Sequence, residues 1–389
     1  MVSPRQWLSR PRIVAGAMSG TSLDGVDAAV VRLAKHRDRI AIDLLGTACI
    51  EFPRQFRQAL LRATEEPLRV AELADLGCVL MHYYNRALAD AIACSGAKAE
   101  AIGIHGQTLW HQPESHESFG IECRTTFQLA TPAIVAATFG VPVVSDFRTA
   151  DVALGGHGAP LVPILDWELL RDPTHCIVAL NIGGIANVTV IPPKATVESI
   201  CAFDTGPGNV WIDAAMHRYW GKRYDDGGRT AAAGTLITPL AERLRTIEFI
   251  AAPPPKSTGR ELFSRHTLEE LLAPLDRAMV PAEDIVATLT WFTAWSIAEN
   301  IRRYATDRTT IVVSGGGANN ATLLSMLERE LPGARIVRLS DYCGIPESAK
   351  EAVLMAYLAY RTLGGLASSV VSVTGAHRSA VLGSITPPP

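Results

Sequence analysis

The sequence has seven cysteines, an odd number, set singly and far apart with no CxxC spacing. That pattern supports neither a zinc ribbon nor a disulfide framework, and it reads as reduced, mostly buried thiols in a cytoplasmic protein. Charge of one sign is scarce as well. A net charge of −3 supplies no general attraction to nucleic acid or to an anionic membrane. No run approaches the roughly 18 uninterrupted apolar residues of a membrane-spanning helix. The opening MVSPRQWLSRPR carries arginines with no apolar stretch behind them, which argues against a secretory signal. There is no GxxxxGK[ST], and no GxGxxG follows the first apolar run, so neither a P-loop nor a Rossmann dinucleotide site has support.

What is present is a large core. An apolar fraction of 48% in 389 residues predicts a compact protein of two lobes. Runs at 13–17 and 28–33 flank MSGTSLDGVD and predict a hairpin. Helical spacing covers 54–97, with Gly96 as a stop signal. A short buried strand, Ala101 to Ile104, is expected to run into a polar loop. A helix at 131–139, a strand at 141–146 and a glycine-turned pair of strands at 175–191 follow. IVVSGGGANNATLLSMLEREL reads as strand, turn and helix, and 349–363 as a last helix. The tail from Ser368 is expected to be loosely ordered. Mixed elements with glycine turns at strand ends predict an α/β fold whose ligands bind at the carboxyl ends of strands.

Three such turns recur: Gly20-Thr21-Ser22, Gly183-Gly184 and Gly315-Gly316-Gly317. Glycine turns present backbone N–H groups to phosphate oxygens without side-chain obstruction. A helix starting near Asn319 adds its dipole. Each turn by itself also reads as a plain tight turn; their recurrence is what favours phosphate. The motifs MSGTSLDGVD, HGQTLWH, DFRTADVALGGHGAPLVP, NIGGIANVT, FDTGPGN, PKSTGRELF, VSGGGANN and GIPESAKEAVLMAYLAY occur in that order. Together they resemble the anhydro-N-acetylmuramic acid kinase family from about Ile13 to about Gly383.

The resemblance implies a two-lobed actin-like ATPase (ribonuclease H-like) fold with a ligand cleft between the lobes. Lobe I would span 1–140, lobe II 141–345, and 346–389 would cross back to lobe I. It also implies a cytoplasmic kinase that uses ATP, Mg2+ and water to open the anhydro bridge of 1,6-anhydro-N-acetylmuramic acid. The products would be N-acetylmuramic acid 6-phosphate and ADP, in peptidoglycan recycling. Its partners would be the amino sugar and ATP, with no nucleic acid or membrane, and a homodimer as an open possibility. A kinase of another anhydro sugar, such as levoglucosan, and an actin- or chaperone-like ATP switch are the competing readings.

Gly20, Thr21, Ser22, Leu23, Asp24, Gly25, Val26 and Asp27 would form the first phosphate hairpin. Gly183, Gly184, Gly315, Gly316, Gly317 and Asn319 complete the nucleotide set. Superfamily relatives place a metal-holding aspartate where this chain has Met18, so Asp24, Asp27, Asp146 or Asp204 must serve, or magnesium is held mainly by ATP and water. No His and Cys cluster with metal-ligand spacing appears. The chemistry joins water attack on an anomeric carbon to phosphoryl transfer onto the departing oxygen. Asp204, stiffened by Gly206, Pro207 and Gly208, is the expected base, with a helix cap or turn as its alternative. Asp146 and Asp151 are candidates for the same role or for sugar hydroxyls, or else ion-pair with Arg148. His105, Gln107, Gly206 and Glu351 are expected at the sugar. For His105 the alternative is a structural role, and for Glu351 a solvated face. Lys256 and Arg260 would meet a phosphate or the lactyl carboxylate, or remain surface cations. Trp291, Phe292 and Trp295 read as core.

Overall fold

The computed structural model describes residues 3–20, 23–259, 261–304 and 308–389; Thr21, Ser22 and Arg260 lie outside the described residues. The chain forms two compact units, Met1–Leu169 with Ser348–Pro389, and Leu170–Glu347.

The first unit holds β1 (Arg12–Met18), β2 (Gly25–His36), β3 (Arg39–Glu51), β4 (Ala101–Ile104), β5 (Gln107–Ser118), β6 (Ile121–Leu129) and β7 (Val143–Ser145). Its main sheet runs β3-β2-β1-β4-β7 and ends on a strand at Ser384–Thr386. The three strands β1 to β3 form an antiparallel meander, while β4 and β7 join in parallel. Because strand side chains alternate between faces, Ala15 and Ala17 of β1 enter the core beside Leu80, Met81, Tyr84 and Leu88 of the helix Val70–Ser95. On Gly16 a Cβ would stand 2.0 Å from Ala352 O, and on Gly103 it would stand 2.1 Å from Met355 O. Only glycine admits that approach, and it lays helix Lys350–Leu363 directly on β1 and β4.

The second unit holds β8 (Cys176–Ile182), β9 (Ile185–Ile191), β10 (Cys201–Pro207), β11 (Thr309–Ser314) and β12 (Arg335–Arg338), ordered β10-β9-β8-β11-β12. Again three antiparallel strands are followed by two parallel ones. Ala294, Ile297, Ala298 and Ile301 of the helix Ala282–Tyr304 fill the core over β8, β9 and β11. Trp291 and Phe292 are buried in a neighbouring cluster against which Trp295 packs. The strand order of the first unit is repeated in the second, which is the doubled ribonuclease H-like arrangement of the actin-like fold.

Three expectations need correction, and one strand was missed. Residues 141–169 belong to the first unit, because β7 hydrogen-bonds in parallel to β4. The polar loop after Ile104 is instead a two-stranded ribbon, β5 with β6, pairing Gln107 with Leu129 through to Ser118 with Ile121. The tail from Ser368 is structured: Ser384–Thr386 pairs with β7, and Leu382 is fully buried. β3 went unread because it is an edge strand whose side chains are mostly exposed or half-buried, which blurs its alternation.

Candidate active site

In the first unit the relevant groups gather at the carboxyl ends of β1 and β4. Ser19 and Gly20 follow β1, and Gly20 O accepts from Leu23 N–H at 3.2 Å. Leu23 and Val26 put their side chains in the core, so only their backbone is left for a phosphate. Asp24 ion-pairs with Arg57 at 2.9 Å. Gly25 packs on β3, where a Cβ would lie 2.3 Å from Ile50 O. Asp27 stands across the hairpin from Met18, on the same face of the sheet. Burial raises its carboxyl, against a hydrogen bond with Cys49 that lowers it.

His105 is 3% exposed, and its ring nitrogens face Gly106 O at 3.0 Å and the Nε of Arg148 at 2.9 Å. Since Arg148 can only donate, His105 Nε2 accepts and Nδ1–H donates to Gly106 O, which fixes a neutral tautomer. Burial first, then the Arg148 charge, pulls its pKa down to about 3. Gln107 is 2% exposed and accepts from Ser19 Oγ at 2.8 Å. The expected sugar-contacting tips are thus engaged with protein: His105 with Arg148, Gln107 with Ser19 of the β1–β2 turn. Tyr84, fully buried, accepts from Ser19 N–H at 2.9 Å and donates to Gly106 O at 3.1 Å, joining the two loops again.

Asp146 sits at φ 57 and accepts from Thr149 Oγ1 at 2.6 Å, closing the turn into a short helix. Asp151 is fully buried; its oxygens accept from Gly158 N–H at 2.8 Å and Thr374 Oγ1 at 3.0 Å. Enclosure removes Asp151 from reach of a sugar. Neither aspartate pairs with Arg148, which turns to His105 and to Gly158 O at 3.0 Å. Glu351 opens to solvent in the first turn of its helix, while surrounding protein and the Asp27 charge raise its carboxyl.

In the second unit Asp204 lies near the end of β10, at a bulge that skips to Gly206. Its Oδ2 accepts from Thr258 N–H at 2.8 Å, and its N–H donates to Lys256 O at 3.2 Å. Burial raises the carboxyl, outweighing the Thr258 and Ser257 hydrogen bonds and the Lys256 charge. Asp204 does not cap a helix; Asn209 is the N-cap of Val210–Trp220. Gly206 takes φ 142, and a Cβ there would meet Ile250 Cδ1 at 2.8 Å. Beneath the loop, Thr293 Oγ1 donates to Gly208 O at 2.9 Å and Asn300 Nδ2 to Thr205 O at 3.2 Å. Lys256 is neither a surface cation nor aimed outward: its Nζ donates to Phe249 O at 2.9 Å and Ile250 O at 3.2 Å. Burial pulls its pKa down to about 8.

The Gly183–Gly184 turn is gripped by backbone: Gly208 N–H and Val210 N–H donate to Gly184 O, and Asn209 N–H to Gly183 O. Beside it, Gly315 at φ 82 and Gly317 pack on Ile182, where Cβ atoms would lie 2.7 Å and 2.3 Å from β8 atoms. At Gly316 nothing stands within 4 Å, so this backbone is open to a ligand. The helix behind is capped by Asn320, one residue past the expected Asn319, through Leu323 N–H at 2.9 Å. Gly228 abuts the same cap, its Cβ position 2.1 Å from Asn320 Oδ1. Sequence reading passed over Gly228, Asn320, Tyr84 and the half-buried Asp213, whose carboxyl burial pushes up to about 6. A buried tyrosine at helical spacing carries no signal that separates it from core.

Two units with the same strand order, three antiparallel strands followed by two parallel ones, define the fold class of the sugar kinases and actin. The family model for anhydro-N-acetylmuramic acid kinase matches residues 12–388. Proteins named anhydro-N-acetylmuramic acid kinase are similar throughout. One from Streptomyces avermitilis is 42% identical, covering 96% of this chain and 94% of its own. One from Salinibacter ruber is 39% identical, covering 97% and 96%. One from Bacillus cereus is 36% identical, covering 97% and 99%. The chain belongs to the anhydro-N-acetylmuramic acid kinase family.

Proposed function

We propose that this chain is an ATP-dependent kinase that opens the 1,6-anhydro bridge of anhydro-N-acetylmuramic acid and phosphorylates O6, in cytoplasmic peptidoglycan recycling. Asp204 carries the reading: a carboxylate on a stiff loop, oriented through one oxygen by Thr258 N–H and raised by burial toward the range of a working base. Asp204 takes a proton from water as that water attacks the anomeric carbon. The bond from the anomeric carbon to O6 breaks, and O6 takes the γ-phosphoryl group as ADP leaves. The products are N-acetylmuramic acid 6-phosphate and ADP. Gly183, Gly184 and Gly316 offer uncrowded backbone to the nucleotide.

Magnesium needs only one or two carboxylates besides water and phosphate. Among the described residues no three His, Cys, Asp or Glu gather to hold a metal. Asp27, across from Met18 and near enough to raise Glu351, is the carboxylate that would hold it; magnesium would supply charge neutralisation on the phosphates. No helix among the described residues is long and apolar enough to cross a membrane. Assembly as a homodimer is part of the proposal and is read by sedimentation.

The test is Asp204→Asn. A drop of roughly 10²-fold or more in kcat with ATP binding retained is expected on losing a general base. In the wild type, the acid limb of kcat should lie above the ordinary aspartate pKa of about 3.9. ADP release indifferent to the anhydro sugar would overturn the kinase reading.

A further inference from the structure

The helix Ala282–Tyr304 is buried along most of its length, and yet one side of it is polar. Thr293, Ser296 and Asn300 follow at helical spacing, so they share a face, and none is more than 1% exposed. That face meets the end of β10, where the register with β9 passes from Asp204 to Gly206 and skips Thr205. A bulge of this kind re-aims the side chains beside it, and the side chain beside this one is the carboxylate of Asp204. The carbonyl of the skipped Thr205 accepts from Asn300 Nδ2 at 3.2 Å. Thr205 is held at its other end too, where Oγ1 donates to Ala186 O at 3.1 Å. Gly206, at φ 142, has Ser296 Oγ only 3.2 Å from where a Cβ would stand, so the bulge has little room to shift. The second hydrogen of the Asn300 amide goes to Ser296 O at 2.8 Å, and Oδ1 has no partner among the described residues. Turned over, the amide would set its oxygen against two carbonyls, so the surroundings enforce this orientation. A buried acceptor left unmet works against stability, so helix packing alone gives no reason for an asparagine at this position. Its grip on the bulge does.

We infer that Asn300 is a positioning residue for the proposed reaction: by holding Thr205 O it fixes the bulge, and with it the direction of the Asp204 carboxylate. The inference rests on the base role proposed above for Asp204, and it adds the element that aims that base. The test is a double-mutant cycle on the full chain, with Asn300→Leu, Asp204→Asn and the two together. Sugar-dependent ADP release is read in single turnovers with enzyme in excess, so that slow variants remain measurable. Asn300→Leu should lower the rate roughly 10- to 100-fold, as a misaimed catalytic group does, and leave KM for ATP within about twofold. In the Asp204→Asn background the same change should cost less than about twofold, because no base remains to be aimed. Asn300→Ala lacks the donor as well, and it carries the cycle if Asn300→Leu fails to fold. Asn300 variants as fast as the wild type overturn the inference. So does a loss by the same factor with and without the Asp204 carboxylate, which is what a structural role alone would give. Asp204→Asn at the wild-type rate overturns the base role itself, and the inference falls with it.

Discussion

The β1–β2 turn of the first unit and the β8–β9 turn of the second occupy the same place in sheets of the same strand order, yet they are held by different parts of the chain. In the first, side chains do the holding: Tyr84 bridges Ser19 N–H and Gly106 O, and Ser19 Oγ reaches Gln107. In the second, backbone amides of residues 208–210 bond to the carbonyls of Gly183 and Gly184. A turn held by side chains can be loosened one hydrogen bond at a time. The second is held mostly by backbone, with Asn209 Nδ2 donating to Ile182 O and Gly183 O as a side-chain link, and it is most vulnerable where a side chain would intrude.

The sharpest break should therefore come at Gly208. A Cβ there would lie 2.3 Å from Gly183 O and 3.2 Å from Gly184 O, both main-chain atoms that cannot rotate away. Gly208→Ala should displace the turn, lower stability by about 1–3 kcal/mol for overpacking, and raise KM for ATP by about tenfold or more. Thermal unfolding and initial rates check both, and an alanine variant with wild-type KM and Tm would show that the turn is not gripped as described.

Tyr84→Phe comes next. The ring keeps its packing while Ser19 N–H and Gly106 O lose a buried partner, which should cost about 1–3 kcal/mol in denaturant unfolding. Because the tyrosine ties the β1–β2 turn to the His105 loop, and the proposal puts phosphate at that turn, kcat should fall as well, though by less than in Asp204→Asn. Ser19→Ala removes the parallel link to Gln107, and the two changes should couple in a double-mutant cycle. Strict additivity would mean that the two bonds act on separate structures.

The comparison also explains what could be read in advance. Glycine turns between apolar runs are local signals, so both hairpins and the turn at Gly315–Gly317 were legible. The stiff GPG after Asp204 was legible as a strand-end turn, and the base role of Asp204 is part of the proposal. The holding of each turn was not, since Tyr84 lies far along the chain from Ser19 and looks like any core aromatic on a helix. Asp151 was expected at sugar hydroxyls or in an ion pair with Arg148, but Thr374, 223 residues away, folds over it and closes it off. His105 and Gln107 were correctly set at a strand end, while the direction of their polar atoms depended on Arg148 and Ser19, which no local pattern reports.

The last effect, absent at neutral pH, separates the units by pH. The buried imidazole at the heart of the first unit is His105, neutral when folded and with its pKa near 3 against an ordinary value of 6.5. Above pH 6.5 neither the folded nor the unfolded state protonates it, and it contributes no pH dependence. As pH falls from about 6.5 toward about 3, the unfolded chain takes up a proton that the folded chain refuses, so stability is lost across that window. The loss should be on the order of a few kcal/mol at its lower end, on top of whatever the carboxylates contribute. Replacing the histidine isolates it: the stability difference between wild type and His105→Gln should be flat above pH 6.5 and drift in favour of the variant below it. In the second unit Asp204→Asn should leave this part of the curve in place. A difference curve for His105→Gln that stays flat through the acid range would mean that the ring protonates in the folded state, and that Arg148 is not held by a neutral acceptor.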